Sequence, residues 1–498
     1  MNVLVPLPIV LPLLAAGLSL ALHRRPLAQR TLGLAVLVAT VVATVVLLVR
    51  VDADGPAAVQ VGGWPAPIGI TLVADLFAAI MLVVSAVTML AVLLYAIGSP
   101  KTRDDALFFH PLYLILAAGV SASFLAGDLF NLFVAFEVML SASYVLITLG
   151  GTRDQVRSGM TYVVISLLAS TLFVTAVGLI YAATGTVNMA DLAGKVPALP
   201  ESIRTALALM FLVVFGIKAA IFPLFFWLPD SYPTAPTPVT AIFAGLLTKV
   251  GVYAIIRTQT LIFPTNGRAS VLLLGIAGAT MIVGVLGAIA QNDVKRILSF
   301  HIVSQIGYMI MGLGLFSVAG IAGAIFFIVH QIPVKTTLFL VGGLVENATG
   351  TGALSRLGGL LHRAPLFAVL FLFSALSLAG LPPFSGFVAK LALVQAGLDA
   401  GRYVVVGASL VGSLLTLFSM TKIWGGVFWG TPEEPSAHVD AAGDARLSAP
   451  ALMVVPTAAL VVVSLAIAFA AASVYGLSRE AAEALVHPAP YVQAVLGR

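Results

Sequence analysis

Apolar runs recur along the whole chain, bounded by glycine, proline and charge; about 20 such residues cross a hydrocarbon core about 30 Å thick. The pattern predicts about fourteen helices, at 2–22, 29–50, 69–97, 107–126, 128–149, 157–183, 203–229, 236–258, 269–290, 294–316, 318–346, 364–397, 403–429 and 448–474. Loops between them are short, so neighbouring helices run antiparallel and no water-soluble domain is inserted. The first segment lacks a basic leader and a small-residue cleavage site, and reads as a retained helix. The fold class expected is an all-α polytopic membrane protein.

Two segments are interrupted. The seventh runs through Phe215 to Asp230, where Pro223 and Pro229 remove backbone donors. The twelfth runs through Leu378 to Lys390, where Gly380, Pro382, Pro383 and Gly386 fall in one short window. Backbone freed at membrane depth persists only where protein buries it or a wet cavity lines it. The second broken helix comes five after the first in chain order, an odd offset, so the two cross in opposite directions, the mark of inverted repeats. The expected division is 1–106 (helices 1–3), 107–258 (first repeat, helices 4–8), 259–430 (second repeat, helices 9–13) and 431–498 (helix 14 and tail).

Composition agrees with a membrane solvent: 60% of the 498 residues are hydrophobic, 9% are charged, and mean hydropathy is +1.10. The net charge of +5 therefore calls for a topological reading rather than nucleic acid. An outside N-terminus puts Arg24, Arg25, Arg30, Lys101, Arg103, Arg153 and Arg157 in the first three inner loops. The matching outer loops hold Arg50, Lys195 and Arg204. That asymmetry favours both termini outside. With no cysteine, iron–sulfur ligation, thiolate zinc and disulfides are excluded. No phosphate-binding loop appears, no metal site is expected, and no cofactor is called for.

Charges within the apolar segments carry the chemistry, because each costs about 2.5–3.5 kcal/mol at mid-membrane. They are Glu137, Lys218, Lys249, Lys335, Lys390 and Lys422, with His330 beside Lys335. Burial lowers a lysine's proton affinity and a nearby carboxylate raises it, so a Glu137–Lys218 pair suits a proton relay. His330 and Lys335 lie about 140° apart around a helix, which Pro333 loosens. A static pair fixing helix register would need two charges, not the four of Glu137, Lys218, Lys249 and Lys390. Lys422, near a helix end, suits snorkelling or a structural role. Asp128 and Asp293 read as helix caps, and His110 and His301 as residues near helix ends.

At these residues the chain resembles the antiporter-like membrane subunits shared by Mrp-type sodium/proton antiporters, respiratory complex I and membrane-bound hydrogenases. The resemblance spans nearly the whole chain and rests on five stretches: 130–147, 215–241 with Lys249 following, 292–308, 329–340 and 378–390. It implies fourteen helices, two inverted five-helix repeats and a polar axis in the membrane plane. The implied proton relay pairs Glu137 with Lys218, continues through Lys249, His330 and Lys335, and leaves at Lys390. Length, the short tail, and glutamate at 137 with lysine at 390 resemble the D-type branch; A-type chains look longer. The complex I M type usually has glutamate at the latter position, and the N type lysine at the former.

The function so implied is antiport of sodium, or another monovalent cation, against protons, by a transporter subunit that is not an enzyme. The implied partners are subunits of A, B, C, E, F and G types, docked on apolar faces of helices 2, 3, 13 and 14, together with membrane lipid; the setting is a bacterial plasma membrane. Sodium prefers oxygen ligands and the buried set is mostly cationic, so this chain is expected to carry protons. A redox-driven proton-pump subunit is the alternative. A scaffold has no reason to keep charges in lipid, and a solute carrier would show aromatic and asparagine residues around a cavity.

Overall fold

The computed structural model describes residues 3–99, 106–264, 267–431 and 447–497. Lys101 and Arg103, used above for orientation, lie outside them. Among the described residues, twelve helices are long and apolar enough to cross a membrane. They are α2 (Pro26–Asp54), α3 (Leu76–Gly98), α4 (Ala106–Leu125), α5 (Leu129–Thr148), α6 (Arg153–Thr184), α7 (Glu201–Ala219), α8 (Thr237–Leu261), α9 (Gly267–Ile289), α10 (Val294–Gly314), α11 (Val318–Thr349), α13 (Tyr403–Trp429) and α14 (Ala451–Phe469). Two shorter apolar helices, α1 (Leu7–Ala21) and the first half of α12 (Pro365–Ala379), fall in the two remaining expected segments. The chain is a multi-pass membrane protein.

Three helices form the centre. The most apolar windows of α8 and α11 are 100% buried and that of α10 is 94% buried, so none of them meets lipid. Enclosure on every side is what lets a helix at membrane depth carry ionisable groups. Around them α2, α6, α9, α13 and α14 keep most of their surface outward. By contrast α3, expected to offer a docking face, is 78% buried and serves as core.

The third segment also begins later than the apolar run suggests. Ala57–Gln60 pairs antiparallel with Thr71–Ala74, adding a two-stranded hairpin to an otherwise helical fold. Asp75 then accepts from Ala78 N at 2.9 Å and starts α3, an N-cap that a purely hydrophobic count overlooks. Asp128 and Asp293 cap α5 and α10 as expected, accepting from Asn131 N at 2.6 Å and Arg296 N at 3.0 Å. Beyond α14 the tail folds back as two helices, α15 (Ala471–Val486) and α16 (Ala489–Leu496). Tyr475 on α15 meets Phe326 of α11, and Gln60 on the hairpin donates to Val495 O on α16.

Both interruptions are present, displaced slightly from the residues expected. The α7 helix ends at Ala219, passes through Ala220 at φ 59° and resumes as Trp227–Ser231. The α12 helix ends at Ala379, passes through Gly380 at φ 87° and resumes as Ser385–Asp399. Pro223, Pro382 and Pro383 lie within the breaks. Pro229 and Gly386 lie instead in the first turn of the resumed helices, where the N–H that proline lacks would have no partner within the helix.

One common shift in residue number relates further features. It carries the approach of Gly119 to Met139 onto that of Gly284 to Ser304, and the Asp128–Asn188 bridge onto the Asp293–Ala353 bridge.

Candidate functional site

The sequence-predicted residues fall along the enclosed centre and its flank. Lys218 stands in the last turn of α7, two residues before Ala220, and is buried; its Nζ donates to Ser166 O of α6 at 3.1 Å. Ser170, one turn along α6, donates to the Glu137 carboxylate of α5. Glu137 and Lys218 therefore share one stretch of α6, and among the described residues no ion pair joins them directly. The lysine takes instead a backbone carbonyl that lies within its reach. A cavity of about 10 Å³, lined by Phe136, Tyr162, Ser166, Trp227 and Tyr232, adjoins the ammonium. That is room for about one water. Trp227 Nε1 spans the break and donates to Ile217 O at 3.0 Å.

Lys249 uses a different irregularity. The α8 helix widens to a π turn over Phe243–Leu247, and Lys249 Nζ donates to Ala244 O at 2.5 Å. A π turn takes carbonyls out of the i→i+4 ladder, which leaves one for the lysine. Such turns gather at functional sites for that reason.

On α11 the helix runs through Pro333 without a break, and the missing N–H leaves the Val329 carbonyl without its i+4 donor. His330 Nδ1 lies 2.8 Å from Ser385 Oγ on the resumed half of α12, and its Nε2 lies 3.2 Å from Gln331 Nε2. Lys335 is wholly buried, and its Nζ has no hydrogen-bond partner among the described residues. Lys390 donates to Ala379 O at 2.9 Å, the carbonyl end of the first half of α12, where the helix dipole favours a cation. Its Nζ also stands 5.1 Å above the Tyr308 ring, a cation–π contact.

Gly386 fits this junction because it lacks a Cβ: one placed there would collide with the Ser377 carbonyl oxygen and come 3.0 Å from His330 Nε2. Gly386→Ala is expected to destabilise the protein by about 1–3 kcal/mol through overpacking and to displace His330. Thermal melting of the purified assembly together with proton flux in vesicles checks this; a variant equal to wild type in both refutes it.

Several polar residues of the centre escaped the sequence reading. His301, expected near a helix end, is fully buried inside α10, with Nε2 2.9 Å from Ser419 Oγ of α13. Gln305 accepts from Gln331 at 3.3 Å. The Tyr308 hydroxyl donates to Ser409 O at 2.6 Å and lies 2.9 Å from Ser413 Oγ. The spacing of 301, 305 and 308 is i, i+4, i+7, one helical face, and that periodicity was the available signal. A second missed group is the ion pair of Asp75 with Arg257, two contacts of 2.6 Å. Lys249, Tyr253 and Arg257 follow one another at i, i+4, i+8 along α8, the signal for that residue.

Lys422 has a structural role. Its Nζ donates to Ile289 O at 2.9 Å, Gln291 O at 2.6 Å and Asn292 Oδ1 at 2.9 Å, capping the end of α9.

Comparison with known proteins places this geometry. Residues 126–416, more than half of the chain, match the family described as NADH:quinone oxidoreductase/Mrp antiporter, TM. The chain belongs to this family. Within the NADH:quinone oxidoreductase/Mrp antiporter family it is similar to the D-type subunit of the Na(+)/H(+) antiporter of Alkalihalophilus pseudofirmus, 44% identical over 498 residues with both chains wholly covered. It is 38% identical over 500 residues to the corresponding D-type Na(+)/H(+) antiporter chain of Bacillus subtilis, again covering 100% of each chain. Both relatives belong to the branch suggested by length and by glutamate at 137 with lysine at 390. The fold is similar to a chain of the Mrp complex from Dietzia sp. DQ12-45-1b, with a TM-score of 0.92, 37% identity and 100% of both chains covered. It is also similar to a chain of the membrane-bound sulfane sulfur reductase, an archaeal respiratory membrane complex, at TM-score 0.89, 27% identity and 100% coverage of both.

Proposed function

We propose that this chain is the proton-carrying subunit of a multisubunit monovalent cation (Na+)/proton antiporter, with Glu137, Lys218, Lys249, Lys335, His330 and Lys390 as its relay. The observation that carries the reading is a series of enclosed amines, each lodged on a single backbone carbonyl except Lys335, which has none among the described residues. An amine on one neutral acceptor holds a proton less firmly than one paired with a carboxylate, so a proton can arrive and leave with small movements. Like charges repel strongly where the dielectric is low, so loading one lysine favours release at the next. His301 Nδ1, Gln305 Nε2 and Gln331 Oε1 offer open hydrogen-bonding positions in the same centre, where a water wire would find partners.

The matching features of the two breaks and of the Gly119 and Gly284 approaches support two repeats, α4–α8 and α9–α13, which alternate crossing renders inverted. The excess of arginine and lysine in early loops supports an outside N-terminus in a bacterial plasma membrane. Partner subunits of A, B, C, E, F and G types are part of this proposal, docked on the outward faces of α2 and α14 and of α13 beyond its first two turns. The cationic character of the centre supports sodium being handled elsewhere in the assembly.

The test is sodium-dependent proton flux in everted vesicles carrying the whole assembly, comparing wild type with Glu137→Ala and Lys218→Ala. Each variant is expected to lower flux about tenfold or more, the scale of one lost proton-transfer group. Undiminished flux in an assembled complex would reject the relay. The similarity to the sulfane sulfur reductase chain supports a second reading, a redox-driven pump subunit. Flux that needs an electron donor rather than a sodium gradient would favour it.

A further inference from the structure

On the outward side of the molecule α9 and the start of α13 line a groove of about 670 Å³, and none of the relay residues is among its lining residues. Gly275, Gly278 and Ala279 of α9 and Val405 and Ala408 of α13 line it. Arg402 and Tyr403 stand at one end. Side chains on the rim face outward: Val271 is 59% exposed and Val404 91%. Water does not fill an apolar groove at hydrocarbon depth, so something apolar does.

Size and charge select the occupant. A transmembrane helix about 10 Å wide, running beside residues 271–283 for about 18 Å, occupies roughly 1,400 Å³, about twice the space present, so it would rest on the rim without filling the groove. An extended hydrocarbon chain needs less width and follows the groove. The Arg402 guanidinium has no hydrogen bond or ion pair with the described residues, and no carboxylate is among the groove's lining residues. Arginine binds phosphate through two parallel donors, and tyrosine is enriched where headgroups meet the hydrocarbon. We infer that the α9–α13 groove is a specific site for one anionic phospholipid, its acyl chain along Gly275 and Gly278 and its headgroup phosphate on Arg402.

The two glycines make the site unusually easy to close. An added Cβ at Gly275 meets nothing within 4 Å, and one at Gly278 meets only Ala408 Cβ, at 3.8 Å. A larger side chain at Gly275 fills the groove without pressing on the packed core. The experiment uses the intact assembly, extracted in mild detergent and exchanged into lipid discs of phosphatidylglycerol and phosphatidylcholine in equal amounts. Native mass spectrometry then counts retained lipids. Wild type is expected to keep one more phosphatidylglycerol than Gly275→Leu. Arg402→Gln, on the exposed rim, is expected to lower the preference for phosphatidylglycerol about fivefold, the effect of one cation near a charged membrane surface. Equal retention in wild type and Gly275→Leu overturns the site. Undiminished preference for phosphatidylglycerol in Arg402→Gln overturns the headgroup assignment. A photoreactive residue at 279 that crosslinks to a sibling subunit instead of lipid overturns the choice of occupant.

Discussion

Arg257→Leu is expected to cost the folded assembly about 3–5 kcal/mol, because it leaves the Asp75 carboxylate buried without its counter-charge. Both Asp75 oxygens are engaged by the guanidinium at 2.6 Å, and the same carboxylate starts α3. The guanidinium also faces the rings of Phe77, Tyr253 and Tyr491 at 5.8, 5.4 and 5.2 Å, so cation–π contacts add to the loss. Replacing both members, with Asp75→Asn alongside Arg257→Leu, should recover much of the stability, since no lone buried charge remains. Thermal aggregation of the solubilised assembly, followed by size exclusion, reads both variants. A single variant as stable as wild type would contradict the account.

Lys335→Leu should behave in the opposite way. Its ammonium is wholly buried and has no hydrogen-bond partner among the described residues, so the substitution breaks no bond and removes the cost of desolvating a charge. The variant assembly should melt at or above the wild-type temperature, while sodium-dependent proton flux falls about tenfold or more. Retained flux would mean that the relay bypasses this lysine; lost stability would mean that Lys335 holds the core together.

The contrast between these two residues marks how far the sequence alone carries. Apolar run length located the spans, and Pro223, Pro382 and Pro383 located the breaks, because both rest on local rules about hydrocarbon thickness and missing donors. Lys218, Lys249, Lys335 and Lys390 were conspicuous because charge at membrane depth is costly anywhere. What each amine touches was not legible. Lys218 prefers Ser166 O to a direct pair with Glu137, and Lys249 depends on a π turn that no residue in Phe243–Leu247 announces. Hydrophobic counting also missed the hairpin before α3, since Thr71–Ala74 is as apolar as the helix it precedes. His301 reads from the sequence as a residue near a helix end, whereas it is fully buried inside α10 and meets Ser419 of α13, a contact that distance along the chain does not show.

The position of Tyr491 has a consequence for how the molecule is made. Residue 491 leaves the ribosome after every element that it touches, so Arg257 and Asp75 are both available to pair before their third aromatic neighbour exists. Chains that stop short of α16 would insert all their spans yet leave this charged pair less well covered and the hairpin without its contact at Val495. The last cover over this pair therefore arrives with α16, which gives cellular quality control a physical difference by which to separate chains that carry that helix from chains that lack it.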